Sequence, residues 1–410
     1  PSDRYGYFPS VSLGWNVSKE SFWKFPQTDL KFRLSYGKTG NQDGIGNYAW
    51  QPLMSGGINY GNNSGMAVTS MGNNKLTWET ADQYDFGFDL GFWNGKLNMI
   101  ADIYLKNTNN LLYSMPLHGT SGFTSITSNI GSMRNYGVEF SINGHLNIGK
   151  VNWTSSFNIS HNKNKLTKLL GDDLLPIGSN RALKVGEELG TFYLFQMDGL
   201  YQYDGEVPQP LYDLGVRAGD VKYHDVDNNG IINDNDRVLT GSSNPDFFGG
   251  WNNTFKYKGF QLDVFFTYMY GNDVYAEWAV TATRPGYRMA ITEDVAKNRW
   301  TAPGSSNKYP RAVNTLCGHN SKNSTRFLED GSFIRLRSLT FSYTFPQVML
   351  QKIRMKGLRL YVQGDNLLLF SKYSGWDPEV SKNMDPQYFG VDLYGVPPSR
   401  SVNFGINLSF

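Results

Sequence analysis

The chain has 410 residues, with 44 Gly, a single Cys, 15% aromatic residues, 18% charged residues and a formal net charge of +2. No stretch approaches the roughly 18 consecutive apolar residues that a spanning helix needs, which excludes a helical membrane protein. The aromatic content speaks against wholesale disorder, the near-neutral charge makes no case for nucleic acid, and one cysteine, Cys317, excludes an intrachain disulfide framework or a thiolate metal cluster.

Period-two alternation predicts an all-β chain. In chain order the strands fall at about 7–17, 30–38, 80–91, 95–106, 135–147, 151–162, 246–257, 259–270, 332–345, 356–369 and 400–410. In the first, Val11, Leu13, Trp15 and Val17 alternate with Ser and Gly. In the third, Tyr84, Phe86, Phe88 and Leu90 alternate with Asp85, Gly87 and Asp89. The fifth sets Tyr136, Val138, Phe140 and Ile142 against Glu139, Ser141 and Asn143. The last is the cleanest, with Val402, Phe404, Ile406, Leu408 and Phe410 on one face and Ser401, Asn403, Gly405, Asn407 and Ser409 on the other.

Such alternation suits a soluble sandwich, whose apolar face is inside, and a membrane barrel, whose apolar face meets lipid around a wet lumen. Connection lengths separate the two. Short turns at 93–95, 148–150, 258–259 and 346–355 alternate with long connections at 39–79, 107–134, 163–245, 271–331 and 370–399. Outer-membrane barrels have this asymmetry, with short periplasmic turns and long extracellular loops. Trp93, Trp153, Tyr257 and Phe260 stand beside the short turns, where an interfacial aromatic girdle would place them. Phe410 is expected on the short-turn side, which by alternation starts the first strand on the long-loop side. Bacterial single-chain barrels normally have even strand numbers. With no initiator Met or signal peptide before Pro1, the expectation is a transmembrane antiparallel β-barrel of which residues 1–410 are the C-terminal portion.

Particular segments resemble the SusC/RagA-type TonB-dependent outer-membrane transporters of the Bacteroidota. They are Tyr7-Phe8-Pro9-Ser10-Val11-Ser12-Leu13-Gly14-Trp15, Leu34-Ser35-Tyr36-Gly37-Lys38-Thr39-Gly40-Asn41-Gln42, Asn135-Tyr136-Gly137-Val138-Glu139, Asp330-Gly331-Ser332-Phe333-Ile334-Arg335-Leu336-Arg337 and the terminal strand. The resemblance implies a barrel of about 22 strands, about eleven of which fit here. It also implies an N-terminal half with a plug and a TonB-contacting segment, absent from this sequence. A SusD-like surface lipoprotein would close the barrel mouth, and the imported substrates would be oligosaccharides or peptides. A passive porin or structural barrel is the rival reading.

No catalytic motif is present, and His118, His145, His161, His224 and His319 have no metal-ligand spacing. The carboxylates on the polar face (Asp85, Asp89, Asp102, Glu139, Asp263) are expected to pair with a plug or line a wet channel. Aromatic residues crowd the long loops, among them Tyr48, Trp50, Tyr60, Tyr201, Tyr203, Tyr275, Trp278, Trp300, Trp376 and Tyr394. They suit substrate or partner contact, or packing of the loops on themselves. Arg335 and Arg337 share the parity of lipid-facing Leu339. They are expected above the bilayer, or beside a bulge that resets the parity, because charge at mid-bilayer costs about 2–4 kcal/mol.

One segment of the 163–245 loop has metal-ligand spacing. On the twelve-residue calcium-loop pattern, Asp225, Asp227 and Asn229 take positions 1, 3 and 5, with Gly230 at the sharp turn. Ile231 offers its carbonyl at position 7, Asn233 acts through water at 9, and Asp236 closes the loop at 12, where an EF-hand has Glu. Hard oxygen ligands point to a structural Ca²⁺ held without flanking helices. The alternative is an Asx-rich turn.

Overall fold

The computed structural model describes residues 5–43, 45–169, 171, 174–286, 289–314, 318–351, 354–382 and 388–410. Cys317 lies outside them. Eleven strands build the main sheet: β1 (Ser10–Asn16), β2 (Thr28–Asn41), β3 (Glu79–Phe92), β4 (Leu97–Pro116), β5 (Ser125–Ile148), β6 (Val151–Leu169), β7 (Phe247–Tyr257), β8 (Phe260–Tyr270), β9 (Phe333–Thr344), β10 (Gly357–Ser371) and β11 (Ser401–Ser409). Each neighbours the next along the chain, and β1 and β11 end the order with one neighbour apiece. The chain divides into two compact units. One holds Pro1–His145, Ser160–Leu174 and Lys184–Leu189, and the other holds Leu146–Ile159, Leu175–Leu183 and Gly190–Phe410.

In the first unit the antiparallel register lines up rows of one kind. Leu13 faces Leu34, Leu34 faces Phe86, Phe86 faces Ile103, and Ile103 faces Val138. One residue along, a polar row on the other face runs through Arg33, Gly87, Asp102 and Glu139. The Arg33 guanidinium reaches Asp89 at 3.0 Å and Asp102 at 2.8 Å. Gly87 makes that crossing possible, since a Cβ there would stand 2.1 Å from Asp102 Oδ1.

The second unit repeats the scheme. Phe255, Leu262, Phe341, Val362 and Phe404 form an apolar row, and Thr254, Asp263, Thr340, Gln363 and Asn403 a polar one. Thr254 donates to Asp263 at 2.7 Å. The short turn at Lys258-Gly259 has both residues at positive φ, the hairpin geometry whose twist matches that of its strands.

The apolar rows are the exposed ones. Leu13 is 69% exposed, Ile103 56% and Phe404 83%. A soluble sandwich buries that face, and contiguous exposed apolar surface on this scale is a membrane or partner surface. The exposed apolar rows therefore select the barrel wall over the sandwich.

Three features bear on the sequence reading, the first as a departure from it and the others by deciding between alternatives it left open. The connection expected at 107–134 is largely strand, because β4 and β5 continue as a hairpin through Pro116 and from Ser125. Its outward positions turn polar at Asn107 and Asn109, so the apolar pattern stops while the backbone pairing carries on past a bulge at Asn110. The connections at 163–245, 271–331 and 370–399 are ordered rather than structureless. Phe192, Leu194, Val274, Tyr275, Phe327, Tyr373 and Val391 from all three form one buried core. A second core gathers Phe195, Leu200, Tyr201, Leu211, Val221, Tyr223 and Ile232.

The third is a bulge, the second of the two expectations for Arg335 and Arg337. Register shifts between Leu336 and Ser338 in the pairing of β9 with β10, and Asn366 on β10 has φ of +53°. Both arginines therefore reach the polar side. Arg335 meets Asp377 at 2.6 Å and Glu379 at 3.0 Å, and Arg337 meets Glu379 at 2.7 Å. The side chains of Arg335 and Asp377 are 3% and 4% exposed.

Two expectations follow from this wall. Spin labels at Phe404 and Ile406 in the intact protein should be quenched by lipid-soluble reagents, and labels at Asn403 and Asn407 by water-soluble ones. The reverse pattern would invert the faces. Arg335→Ala should destabilise by about 3–5 kcal/mol, because it strands the buried Asp377 carboxylate. The double change Arg335→Leu with Asp377→Leu should cost less than that single change in thermal unfolding of the solubilised protein.

Candidate calcium loop

The segment 225–236 joins two strands, Val221–Tyr223 and Arg237–Ser242. Both ends are held. Val221 and Tyr223 are buried in the second core together with Ile232 from within the loop. Asp220, just before the first strand, accepts two hydrogen bonds at 2.9 Å from the Arg311 guanidinium, one at 2.8 Å from Asn320 and one at 2.9 Å from the Arg217 N–H. His319 lies with Nε2 2.7 Å from the Val221 carbonyl, and burial lowers its pKa. Sequence reasoning missed this brace, since its members lie about ninety to a hundred residues apart and carry no local motif.

Within the loop the backbone folds around carboxylates. The Gly230 N–H donates to Asp225 Oδ2 at 2.6 Å and the Asn229 N–H to Asp225 Oδ1 at 3.2 Å. Asn229 also donates through Nδ2 to Asp227 Oδ2 at 2.8 Å, and its Oδ1 accepts from the Ile231 N–H at 2.7 Å. Asp236, fully buried, accepts from the Val226 N–H at 2.9 Å and the Asn233 N–H at 2.8 Å. Gly230 has φ of +78°, a conformation that favours glycine.

Of the five residues expected as direct ligands, the structure brings Asp225, Asp227 and Asp236 together, with one carboxylate oxygen from each within 4.8 Å of the others. Asn229 stays beside Asp227. Asn233, expected to act through water, caps a helical turn, its side chain accepting from the Asn235 N–H at 2.9 Å. Desolvation pushes the Asp225 carboxyl up, but the N–H groups of Gly230 and Asn229 outweigh it and leave its pKa below the usual value. Asp225 is thus held ionised at neutral pH, beside the carboxyls of Asp227 and Asp236. Each retains acceptor sites beyond its hydrogen bonds, which is what a hard, oxygen-seeking cation such as Ca²⁺ requires.

Residues 1–367 match the family described as TonB dependent receptor-like, beta-barrel. The chain belongs to this family, in its SusC/RagA-type branch. It is 33% identical to TonB-dependent receptor P3 of Formosa agariphila, over all of the chain and 42% of that protein. It is 30% identical to TonB-dependent receptor SusC of Bacteroides thetaiotaomicron, over all of the chain and 40% of that protein. Among solved structures it resembles the RagAB peptide transporter, with a TM-score of 0.86 and 26% identity over all of the chain and 44% of that one. The chain therefore spans about two-fifths of the curated relatives it matches. Those relatives are receptors by name, and the family is one of outer-membrane barrels.

In this SusC/RagA-type barrel the loop aromatics divide. Tyr201 and Tyr275 are buried core residues, and Trp278 and Trp300 pack against the cores. Tyr48, Trp50, Tyr60, Tyr203, Trp376 and Tyr394 are exposed. Burial, which spacing does not reveal, separates the two groups.

In limited proteolysis of the intact protein, calcium should slow cleavage between about residues 218 and 240, and chelator should restore it. Asp227→Ala should be cleaved at the chelated rate in both conditions. The protection should fade as pH falls through the depressed pKa of Asp225, since a protonated carboxyl neither binds the cation nor accepts as strongly. Cleavage indifferent to calcium in the wild type would leave the segment an Asx-rich turn.

Proposed function

We propose that the intact protein imports oligosaccharides or peptides across the outer membrane of a Gram-negative cell, energised through TonB and working with a SusD-like surface lipoprotein. The observation that carries this reading is the likeness of the whole chain to the RagAB peptide transporter at a TM-score of 0.86. The SusC relative supports the same class. The plug, the TonB-contacting segment and the N-terminal half of the barrel would come from residues outside 1–410. Unpaired strand edges in lipid cost several kcal/mol per group, so β1 and β11 each call for a further neighbour. On this orientation the long connections, including 163–245, face outside the cell. The 225–236 segment there is a structural Ca²⁺ site, ligated by Asp225, Asp227 and Asp236 with Asn229 and the Ile231 carbonyl completing the set, and takes no part in chemistry.

Uptake of labelled oligosaccharides and labelled peptides by the native cell tests the reading. Deleting the gene should abolish uptake of one of the two classes. Disrupting TonB, or the gene for the surface lipoprotein, should give the same loss. Uptake that survives without TonB would point to a passive porin instead.

A further inference from the structure

The outward face of the first unit carries a groove of about 580 Å³. Its apolar walls are Leu34, Tyr84, Phe86, Ile103, Leu105 and Tyr136, and its end toward the long connections holds Arg134 and Lys165. Asp85 and Tyr104 also border it, but they are wall residues of the cavity on the polar face as well, along with Arg33, Asp102 and Glu139.

The two cations are placed against each other. On β5, Gly131 lies against Lys168 of β6, and Gly137 lies against His161 and Asn162. Arg134, midway between those glycines, therefore stands opposite Lys165. Like charges directly across a strand pair are destabilising. Asn107 Oδ1 accepts from Arg134 Nε at 2.9 Å, which orients the guanidinium without neutralising it. Among the described residues neither Arg134 nor Lys165 has an ion-pair partner, whereas Lys163, two residues away, has Glu188 at 3.2 Å. Both unpaired cations are exposed.

A pair of uncompensated cations above an apolar groove, on the face turned to lipid, has the chemistry of a receptor for an anionic amphiphile. We propose that the groove binds one phosphorylated, acylated glycolipid of the outer leaflet, of the lipid A type. Its phosphate sits between Arg134 and Lys165, and an acyl chain lies along Phe86, Ile103 and Leu34. The choice of leaflet rests on the orientation given under Proposed function, because the cations are at the long-connection end of the apolar band. A phosphate between them replaces repulsion with two charge-assisted contacts.

The test uses the whole transporter, extracted from its own outer membrane in mild detergent and washed extensively. Mass spectrometry then measures the lipid retained per barrel. Wild type should retain lipid A, and the Arg134→Gln/Lys165→Gln double variant should retain about tenfold less or lower. Lys106→Gln, on the opposite face, should match wild type. Added back to the delipidated wild type, phosphorylated lipid A should rebind and the dephosphorylated form should not, a comparison that needs no variant to fold. Equal retention in wild type and double variant, rebinding without phosphate, or retention of a glycerophospholipid in place of lipid A would each overturn the inference. A wild-type protein missing from the outer-membrane fraction would instead overturn the reading on which the inference rests, and that is visible before any lipid is measured.

Discussion

Inside a bilayer a strand has no water to satisfy its backbone, so each N–H and C=O must find its partner in the strand alongside. The rest of the wall depends on this lateral pairing. It fixes register, and register fixes which residues stand in a row. Leu13, Leu34, Phe86, Ile103 and Val138 share a face because the hydrogen-bonded ladder aligns them, and Arg33, Asp102 and Glu139 are gathered on the other face for the same reason. Slipping one strand by one residue would turn its polar side chains into lipid along the whole strand. The bulge at Arg337 is such a slip used locally. It interrupts the ladder for a single step and delivers two arginines to Asp377 and Glu379.

Away from the wall different forces apply. The long connections hold themselves together as a soluble domain does, with Tyr275, Phe192 and Phe327 buried in one core and Tyr223, Val221 and Leu211 in another. Their polar anchors are buried and multiply bonded. Asp220, with Arg311, Asn320 and the Arg217 N–H, is one example, and Asp392, which accepts from Tyr373 at 2.7 Å, is another. A rigid base of this kind allows the 225–236 loop to hold three carboxylates close together.

Where side chains alternate between lipid and water, the wall was legible in the sequence. All eleven strands occur where alternation places them, two of them running on past the apolar pattern, and the parity of Arg335 and Arg337 left a place above the bilayer or a bulge, of which the structure has the bulge. Beyond the lipid that signal ends. Asn107 and Asn109 belong to a strand that hydropathy cannot mark, because pairing there needs no apolar face. In the 225–236 loop the spacing located Asp225, Asp227 and Asp236, whose grouping is local. It did not reveal that Asn233 caps the helical turn that carries Asp236 into place. Tyr201 and Trp376 look alike in sequence and have opposite fates, since burial is set by residues a hundred positions away.

The shared core of the long connections bears on the order of assembly. Phe192 precedes β7, Val274 and Phe327 lie between β8 and β9, and Tyr373 and Val391 come only after β10. No nascent portion of the chain short of the last connection contains the whole set. Hairpins of the wall can form early from near neighbours, but this core closes on contacts of high sequence separation, the slow kind. The core of the long connections is therefore the last to mature, completed only when the segment leading into β11 is delivered.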